Sequence, residues 1–305
     1  MPDLPTAARD PIALKQRILD ATAALPLLPS SVMRLRTVLD DPRSSADAVE
    51  AVVRPDAALT GNLLRMANSA FFGVPRRIES VRQAITLLGM RRVYEAAVGA
   101  SFLCLIPERL LGYGLEASAF WRHCVAVAVL GERLAIGCGK SPPPLAFTAG
   151  LLHDIGKLAV GPFLAEVADE VRGRLRAERG SLLGAERDLL GVTHPEVGAA
   201  LADRWQLPTP MCRAVRWHHE PGESGDGNER LLSDLVHLAN DLAHLLGFGA
   251  DAGELHREVD AAAAARLGLK IRQVEAVVAQ STQPIEELAD LFAPPASKPK
   301  VSGRP

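Results

Sequence analysis

Three ionisable side chains stand in an otherwise apolar run at residues 151–160, which reads LLHDIGKLAV. His153 and Asp154 are adjacent, and Lys157 follows three residues after the aspartate. Core segments rarely contain such groups unless they are paired or bind something. The run therefore indicates a binding site, or the remnant of one, in which an imidazole, a carboxylate and an ammonium group lie together.

Further histidines recur on both sides of this run. They are His123, His194 and the pair His218-His219, and a last polar position follows at Asn240-Asp241. Each lies on a predicted helix or at its end, where a rigid backbone can direct the side chain inward. Neutral imidazoles with a carboxylate suit a divalent transition metal such as Fe, Mn or Zn. Such an ion would acidify a bound water into a nucleophile, and Lys157 would hold a phosphate oxygen.

Taken one at a time, the histidines have an ordinary interpretation. A single buried histidine is usually a satisfied core residue, and the HHE at 218–220 would complement the dipole at a helix C-terminus. His237, His244 and His256 lack the ordered context, and we interpret them as ordinary helix residues. The ordered set is stronger evidence for a site than any one of its members.

Helical spacing dominates the elements that must position these side chains. Apolar residues recur three and four apart, as in Val32, Leu35, Val38 and Leu39, whereas strand-like alternation is nearly absent. Ser45, Asp56 and Ser80 are predicted N-caps, and Gly89 is a predicted helix end. The motif itself is placed on a helix over residues 144–155. The predicted fold class is all-α.

Breaks in the helical pattern predict the domain organisation. Pro and Gly residues at 107–114 indicate a boundary between two helical lobes. We expect an N-terminal segment at 1–20, a first lobe at 21–106, a second lobe at 115–250, C-terminal helices at 251–292 and a disordered tail at 293–305.

Composition limits the class of protein. Hydrophobic residues make up 48% and charged residues 23%, the formal net charge is −2, and the pI is about 6.5. Nothing in this balance favours nucleic acid or an anionic membrane. Neither a signal peptide nor an apolar run long enough to span a membrane is recognisable. Four cysteines without CxxC spacing are expected to be reduced thiols, and we expect a cytoplasmic protein.

The order of the histidines leads to a family resemblance. H…HD…H…HH resembles the HD superfamily of metal-dependent phosphohydrolases, and HDIGK is similar to the form in its cyclic-dinucleotide phosphodiesterase branch, the HD-GYP proteins. Upstream, LPLLPSSVMRLRTVLDDP and LTGNLLRMANSAFFGVPRRIESVRQAITLLG closely resemble the HDOD domain, the HD-related output domain of bacterial signalling. This resemblance covers roughly residues 20–250 and implies a two-lobe, all-α fold with an HD-like second lobe.

The resemblance also implies roles for individual residues. Lys157 matches the phosphate-facing lysine, so Asp154 and Lys157 would be the catalytic residues of an enzyme. The implied metal ligands are His123, His153, Asp154, His194, His218, His219 and Asn240.

Two departures from the family pattern bear on activity. Asn240 stands where the family has its final metal-binding aspartate, and a neutral amide is a weaker ligand. The neighbouring Asp241 points about 100° away on a helix. The segment HHEPGESGDGNERLL contains DG but not GYP, so the loop that would shape a cyclic-dinucleotide pocket is not recognisable.

These observations predict a cytoplasmic signal-transduction or regulatory module of HDOD type. It would act by binding signalling proteins or a small ligand such as a nucleotide, without catalysis. The alternative is a metal-dependent phosphohydrolase that acts on a nucleotide or cyclic dinucleotide. Asn240 and the missing GYP favour the binding module.

Overall fold

The structure, a computed structural model, describes residues 11–69, 76–176, 181–249 and 259–291. Its elements confirm the all-α prediction. The first six helices are α1 (Pro11–Ala24), α2 (Ser30–Asp40), α3 (Ala46–Val53), α4 (Ala57–Ala67), α5 (Val81–Leu88) and α6 (Met90–Leu103). The predicted disordered tail at 293–305 and His256 lie outside the described residues.

A two-stranded antiparallel sheet separates these helices from the rest. It pairs β1 (Arg109–Leu110) with β2 (Leu115–Glu116) around a 3-10 turn at Leu111–Tyr113. The remaining helices are α7 (Ala117–Cys138), α8 (Pro143–Leu152), α9 (Lys157–Glu166), α10 (Ala168–Arg176), α11 (Leu182–Leu190), α12 (His194–Arg204), α13 (Thr209–Trp217), α14 (Leu231–Leu245), α15 (Ala261–Leu267) and α16 (Ile271–Leu291). We call α2–α6 the first lobe and α7–α14 the second lobe.

The predicted helix signals of the first lobe are confirmed. The side chains of Ser45, Asp56 and Ser80 each accept a hydrogen bond from a backbone N–H in the first turn of the following helix. Gly89 has φ +84°, a conformation that glycine adopts without steric cost, and it separates α5 from α6. These caps fix where the helices begin and therefore which faces they bury.

The second lobe is built around α7, whose side chains are buried along most of its length. Helices α8, α14 and α16 pack against it. The indole N–H of Trp121, in α7, donates to the carbonyl of Ala289, in α16, at 3.2 Å. The C-terminal helix therefore covers the central helix of the second lobe.

Helix α1 also belongs to the second lobe by its packing, although the first lobe follows it in sequence. It packs against α9, α11 and α12, and its residues Leu14 and Ile18 are buried. The guanidinium of Arg204, in α12, donates to the carbonyls of Thr22 and Leu25 at 3.1 and 2.7 Å. The sequence pattern predicted an N-terminal segment at 1–20 but no helix in it, so α1 was not expected.

Other expectations differ from the structure in detail. The predicted helix over 144–155 is wrong at its end, because α8 stops at Leu152 and residues 153–156 form a turn. The strand pair at the lobe boundary was not expected.

The four cysteines are free, as predicted, although Cys104 is exposed. Among the described residues, no helix has the length and apolar character needed to cross a membrane.

Candidate metal centre

Four separate elements bring the predicted site residues together. His123 lies in the middle of α7, and His153 and Asp154 lie in the turn between α8 and α9. His194 is the first residue of α12, and the pair at 218–219 follows the last residue of α13. Placing Asp154 in a turn rather than in a helix frees its carboxylate to contact side chains on both sides.

The carboxylate of Asp154 lies between two groups of imidazoles. Its Oδ2 is 3.6 Å from Nε2 of His123 and 3.3 Å from Nε2 of His153. Its Oδ1 is 3.2 Å from Nε2 of His194 and 3.7 Å from Nε2 of His218. Nε2 of His219 is 3.1 Å from Nε2 of His194. Asp154 is therefore common to both groups that can hold a metal ion, one with His123 and His153 and the other with His194, His218 and His219.

These separations suit shared metal ligands. Bonds of about 2.0–2.1 Å at tetrahedral angles place neighbouring donor atoms about 3.4 Å apart. The Nε2 atoms of His123 and His153 are 3.2 Å apart. The hypothesis that these two histidines can share one ion requires them to be close, and the structure meets that requirement.

The backbone orients two of the imidazoles. Nδ1 of His153 lies 2.7 Å from the carbonyl of Gly150, and Nδ1 of His218 lies 2.8 Å from the carbonyl of Val215. Because a carbonyl only accepts, Nδ1 carries the hydrogen in each ring, and the Nε2 lone pair faces Asp154. Lone pairs directed at a carboxylate repel it unless a cation stands between them. The donor set therefore fits a metal ion, since such hydrogen bonds fix metal-binding histidines in the required tautomer.

His194 is held differently, by a buried carboxylate. Oε2 of Glu186 accepts the backbone N–H of His194 at 2.7 Å and lies 2.8 Å from its Nδ1. The hydroxyl of Tyr113 donates to Oε1 of Glu186 at 2.7 Å. Burial alone would lower the pKa of His194, but the charge of Glu186 and the contact with Asp154 raise it to about 9. In the metal-free protein this imidazole is thus held as a cation between two carboxylates.

Charge around Asp154 is balanced by its neighbours. Burial would raise the pKa of its carboxyl, but His153 and Lys157 hold that pKa well below its usual range. Nζ of Lys157 lies 2.8 Å from Oδ2, and the lysine is buried. Burial, together with the neighbouring imidazole of His153, lowers the pKa of His123 and that of His218 well below the usual value. Asp154 is therefore ionised, and these two imidazoles are neutral, as a metal requires.

Gly156 lets the turn at residues 153–156 lie directly against helix α12. A Cβ atom at this position would stand 1.9 Å from the carbonyl oxygen of His194 and 2.6 Å from the backbone nitrogen of Gly198. No side chain fits there unless the two segments move apart. The glycine of HDIGK thus permits the approach that brings His194 to Asp154.

Helix α14 contributes the seventh predicted ligand position. Asn240 is buried, and no hydrogen bond reaches its Oδ1 from the described part of the chain. His237, three residues earlier, bonds through Nδ1 to the carbonyl of His218 at 2.7 Å. The ring of His244, four residues later, lies 4.9 Å from the ring of His123. Positions three and four apart share a helix face, so Asn240 is on the face turned to the centre, and its ligand role stays a prediction.

Asp241 is engaged elsewhere. Its Oδ2 accepts the backbone N–H of Asp260 at 3.1 Å, at the start of α15. The expectation that Asp241 points away from Asn240 agrees with this contact.

Four residues of the centre's surroundings were missed from the sequence. The sequence pattern marks His237 and His244 as ordinary helix residues and does not single out Glu186 or Tyr113. The spacing of His237, Asn240 and His244 on one face of α14 was a usable signal. Glu186 and Tyr113 carried none, because their contacts depend on how α11 and the lobe boundary pack.

Comparison with known proteins agrees with this architecture. A family profile described as HDOD domain matches residues 25–221, a range that includes the six clustered residues but not Asn240. The crystal structure of an HDOD domain protein of unknown function from Geobacter sulfurreducens superposes with a TM-score of 0.73 at 26% identity. That superposition covers 94% of this chain and 98% of the other.

Two further relatives extend the comparison. A structure from Marinobacter aquaeolei VT8, provisionally named a signal transduction protein, superposes with a TM-score of 0.70 over 94% of this chain and 67% of that one. At 23% identity it supports the fold alone. An uncharacterized protein of Treponema pallidum (strain Nichols) is 27% identical over 227 residues, which are 73% of this chain and 43% of that protein. The chain therefore spans less than half the length of this curated relative.

Proposed function

The chain belongs to the HDOD domain family, and from that membership we propose a regulatory module that binds divalent metal in its second lobe and acts by binding rather than by turnover. Its partners would be signalling proteins or a small ligand such as a nucleotide, in the cytoplasm. The bacterial signalling role is the one that the family resemblance implies, and the Marinobacter relative carries a signal transduction name.

One observation carries the metal-binding part of the proposal. The carboxylate of Asp154 stands between two sets of imidazoles, and within each group the possible ligand atoms lie within 4.8 Å of one another. Fe, Mn or Zn suits a donor set of several imidazoles and one carboxylate. A bound ion of this kind would act as a Lewis acid and lower the pKa of a bound water.

Two features support binding over catalysis. Asn240 supplies a neutral amide where the family has a carboxylate, which would weaken metal retention. Lys157 is buried and paired with Asp154, so its charge balances the carboxylate instead of being free for a substrate phosphate. Hydrolysis of a phosphodiester also needs the substrate positioned and its developing charge neutralised, and the GYP segment associated with that task is absent from the sequence.

A metal-dependent phosphohydrolase is the second candidate. The observation that favours it is the sharing of Asp154 between two potential ion positions, since paired ions can stabilise both the attacking and the leaving oxygen of a phosphate. Asp154 and Lys157 would then be the catalytic residues.

Metal content and turnover, measured on the same preparation, distinguish the candidates. We expect stoichiometric Fe, Mn or Zn in the purified protein, lost in the His153→Ala/Asp154→Ala double variant and kept in Asp169→Ala, which removes an exposed aspartate of α10. Turnover of cyclic dinucleotides and simple phosphodiesters should be absent in metal-loaded protein. Robust turnover that the double variant loses would replace the binding module with the hydrolase, and absence of metal would remove the metal centre from the proposal.

Cellular regulation tests the binding part separately. In a strain that lacks the protein, failure of the metal-free His153→Ala/Asp154→Ala variant to restore the phenotype that Asp169→Ala restores would show that regulation depends on the metal centre. Complementation by the metal-free double variant would instead support a module whose metal centre is dispensable for partner binding.

A further inference from the structure

A cavity of about 380 Å³ lies between the two lobes, and none of the proposed metal ligands lines it. Its walls come from α2 and α6 of the first lobe and from α8 and the start of α13 in the second. Small-molecule sites commonly occupy clefts of about 300–1,000 Å³ at such junctions, with apolar walls and a few polar groups.

The apolar walls are contributed by both lobes. Leu39 and Met90 line the cavity from the first lobe, and Leu145 and Met211 line it from the second. An apolar body placed here would contact flexible methionine side chains, which adapt to irregular shapes. A ligand in this position would touch both lobes at once.

One oxygen of a buried carboxyl group at the cavity wall makes no hydrogen bond to any residue that the structure describes. Glu95, in α6, is 3% exposed, and no hydrogen bond from the described residues reaches its Oε2. Nη1 of Arg92 lies 3.7 Å from this oxygen. Burial raises the pKa of Glu95 to about 8, against the opposing charges of Arg92 and Arg91. The group is therefore mostly a neutral hydrogen-bond donor at pH 7.

Two guanidinium groups also line the cavity. Nε of Arg36 lies 3.5 Å from Oδ2 of Asp40, and its buried Nη1 makes no hydrogen bond within the described residues. Arg91 is exposed at the rim. With Asp40 paired and Glu95 protonated, the polar part of the cavity has a net positive charge and unused donors. Such a group of donors is complementary to an anion.

We propose that the cavity between the lobes binds a small organic molecule with an apolar body and one anionic group, such as a carboxylate or phosphate. Arg36 and Arg91 hold the anion, and the four apolar side chains enclose the body. The site does not depend on metal binding, so it can exist whether or not the metal centre is filled.

The position of the cavity gives its occupant a route to the metal centre. Helix α8 passes Leu145 and Thr148 at the cavity and ends just before His153. Helix α13 passes Met211 and ends just before His218. At 1.5 Å per residue, Thr148 and His153 are only about 7.5 Å apart along the axis. An occupant that shifts either helix would thereby move a proposed metal ligand.

The probe for the test is 8-anilinonaphthalene-1-sulfonate, which combines an aromatic body with one anionic group. We expect saturable binding to one site on chelator-treated, folded protein, followed by fluorescence, and displacement by octanoate at lower concentrations than by octanol. Arg36→Gln and Arg91→Gln should each lower the affinity for the probe by about tenfold, because each removes one charge-assisted contact. Binding of N-phenyl-1-naphthylamine, which lacks the sulfonate, should stay within about twofold.

Two further variants locate the probe. Leu145→Trp places a bulky indole in the cavity and should weaken binding of both dyes, whereas Arg54→Gln, which removes an exposed arginine of the first lobe outside the cavity, should leave both unchanged. Circular dichroism melts confirm that each variant is folded. Equal losses in Arg54→Gln and Arg91→Gln, or undiminished binding in Leu145→Trp, would overturn the proposal, as would the absence of saturable binding to the wild type.

Discussion

Glu186 contacts both the backbone and the ring of His194. One of its oxygens accepts the backbone N–H at 2.7 Å and also lies 2.8 Å from Nδ1 of the imidazole. The carboxylate thus holds the first residue of α12 in place and determines which ring nitrogen is left to face Asp154. Carboxylates behind metal-binding histidines serve in this way to fix the ring and raise its basicity.

Glu186→Gln should weaken the metal position that contains His194. We expect a loss of about 10–100-fold in metal affinity there, the usual effect of removing such a partner. Competition with a chelator of known affinity measures it. Glu223→Gln, at an exposed site, is the control and should change nothing. An affinity unchanged by Glu186→Gln would mean that His194 does not bind the ion.

The same pair predicts a pH dependence in metal-free protein. The pKa of His194 is about 9 when folded, above the usual 6.5. Its stabilising contact with Glu186 is therefore fully present below about pH 6.5 and is lost as the pH rises through 9. Urea unfolding from pH 6 to 10 should show this decline in the wild type, and a smaller one in Glu186→Gln. Parallel curves for the two proteins would contradict it.

The shared carboxylate predicts different metal stoichiometries for different variants. His123→Ala should remove one ion position and leave the other, and His219→Ala should do the reverse. Asp154→Asn should weaken both, because each group uses this carboxylate. Elemental analysis after gel filtration gives the ratios. Retention of both ions in Asp154→Asn would show that the carboxylate does not link the two groups.

Gly156→Ala should destabilise the protein and open the centre. The new methyl group would collide with the backbone of α12, and overpacking of this kind costs about 1–3 kcal/mol. Gly173→Ala, in α10 with open space around it, is the matched control and should be neutral or stabilising. Denaturant unfolding and metal content measure the two effects. A Gly156→Ala protein as stable as the wild type would refute the close approach.

The wild type should lose stability as the pH rises because Glu95 becomes ionised, and Glu95→Gln should not show this loss. The folded pKa of about 8 lies above the usual 4.5, so the folded state keeps a proton that the unfolded chain releases. The contribution of Glu95 to the free energy of unfolding is highest below about pH 4.5. It falls by a few kcal/mol, in order of magnitude, as the pH rises to 8. The charged groups around it are Arg91 and Arg92 on α6, Glu132 on α7, and Arg36 and Asp40 on α2. The difference between wild-type and Glu95→Gln unfolding free energies, measured from pH 5 to 9, should therefore grow with pH, and a constant difference would contradict the prediction.

Local signals in the sequence were enough to predict much of the fold and the centre. Side-chain caps such as Ser45 and Asp56 act within one helical turn, so they are legible without knowledge of the packing. The order of the histidines predicted that His123 and His153 meet, although 30 residues separate them. That prediction rested on the ordered pattern and the family resemblance rather than on any property of a single histidine.

What the sequence did not predict depends on long-range packing. Glu186 is an unremarkable acid in a helix until α11 brings it against the start of α12. The apolar pattern predicted a helix over residues 144–155, but the ring of His153 hydrogen-bonds to the carbonyl of Gly150 and the chain turns there. Helix α1 was missed because its short apolar face, Leu14 and Ile18, has a partner surface formed by much later residues.

That late partner has a consequence for the order of folding. Arg204 donates to Thr22 across a separation of 182 residues, so α1 cannot dock until α12 has been synthesised. At about 5–20 residues per second, this leaves the emerging helix unprotected for roughly 10–40 seconds on the ribosome. The first lobe is synthesised entirely within that interval and can fold while α1 is still undocked. Closing so long a loop makes docking of α1 a late step of high contact order.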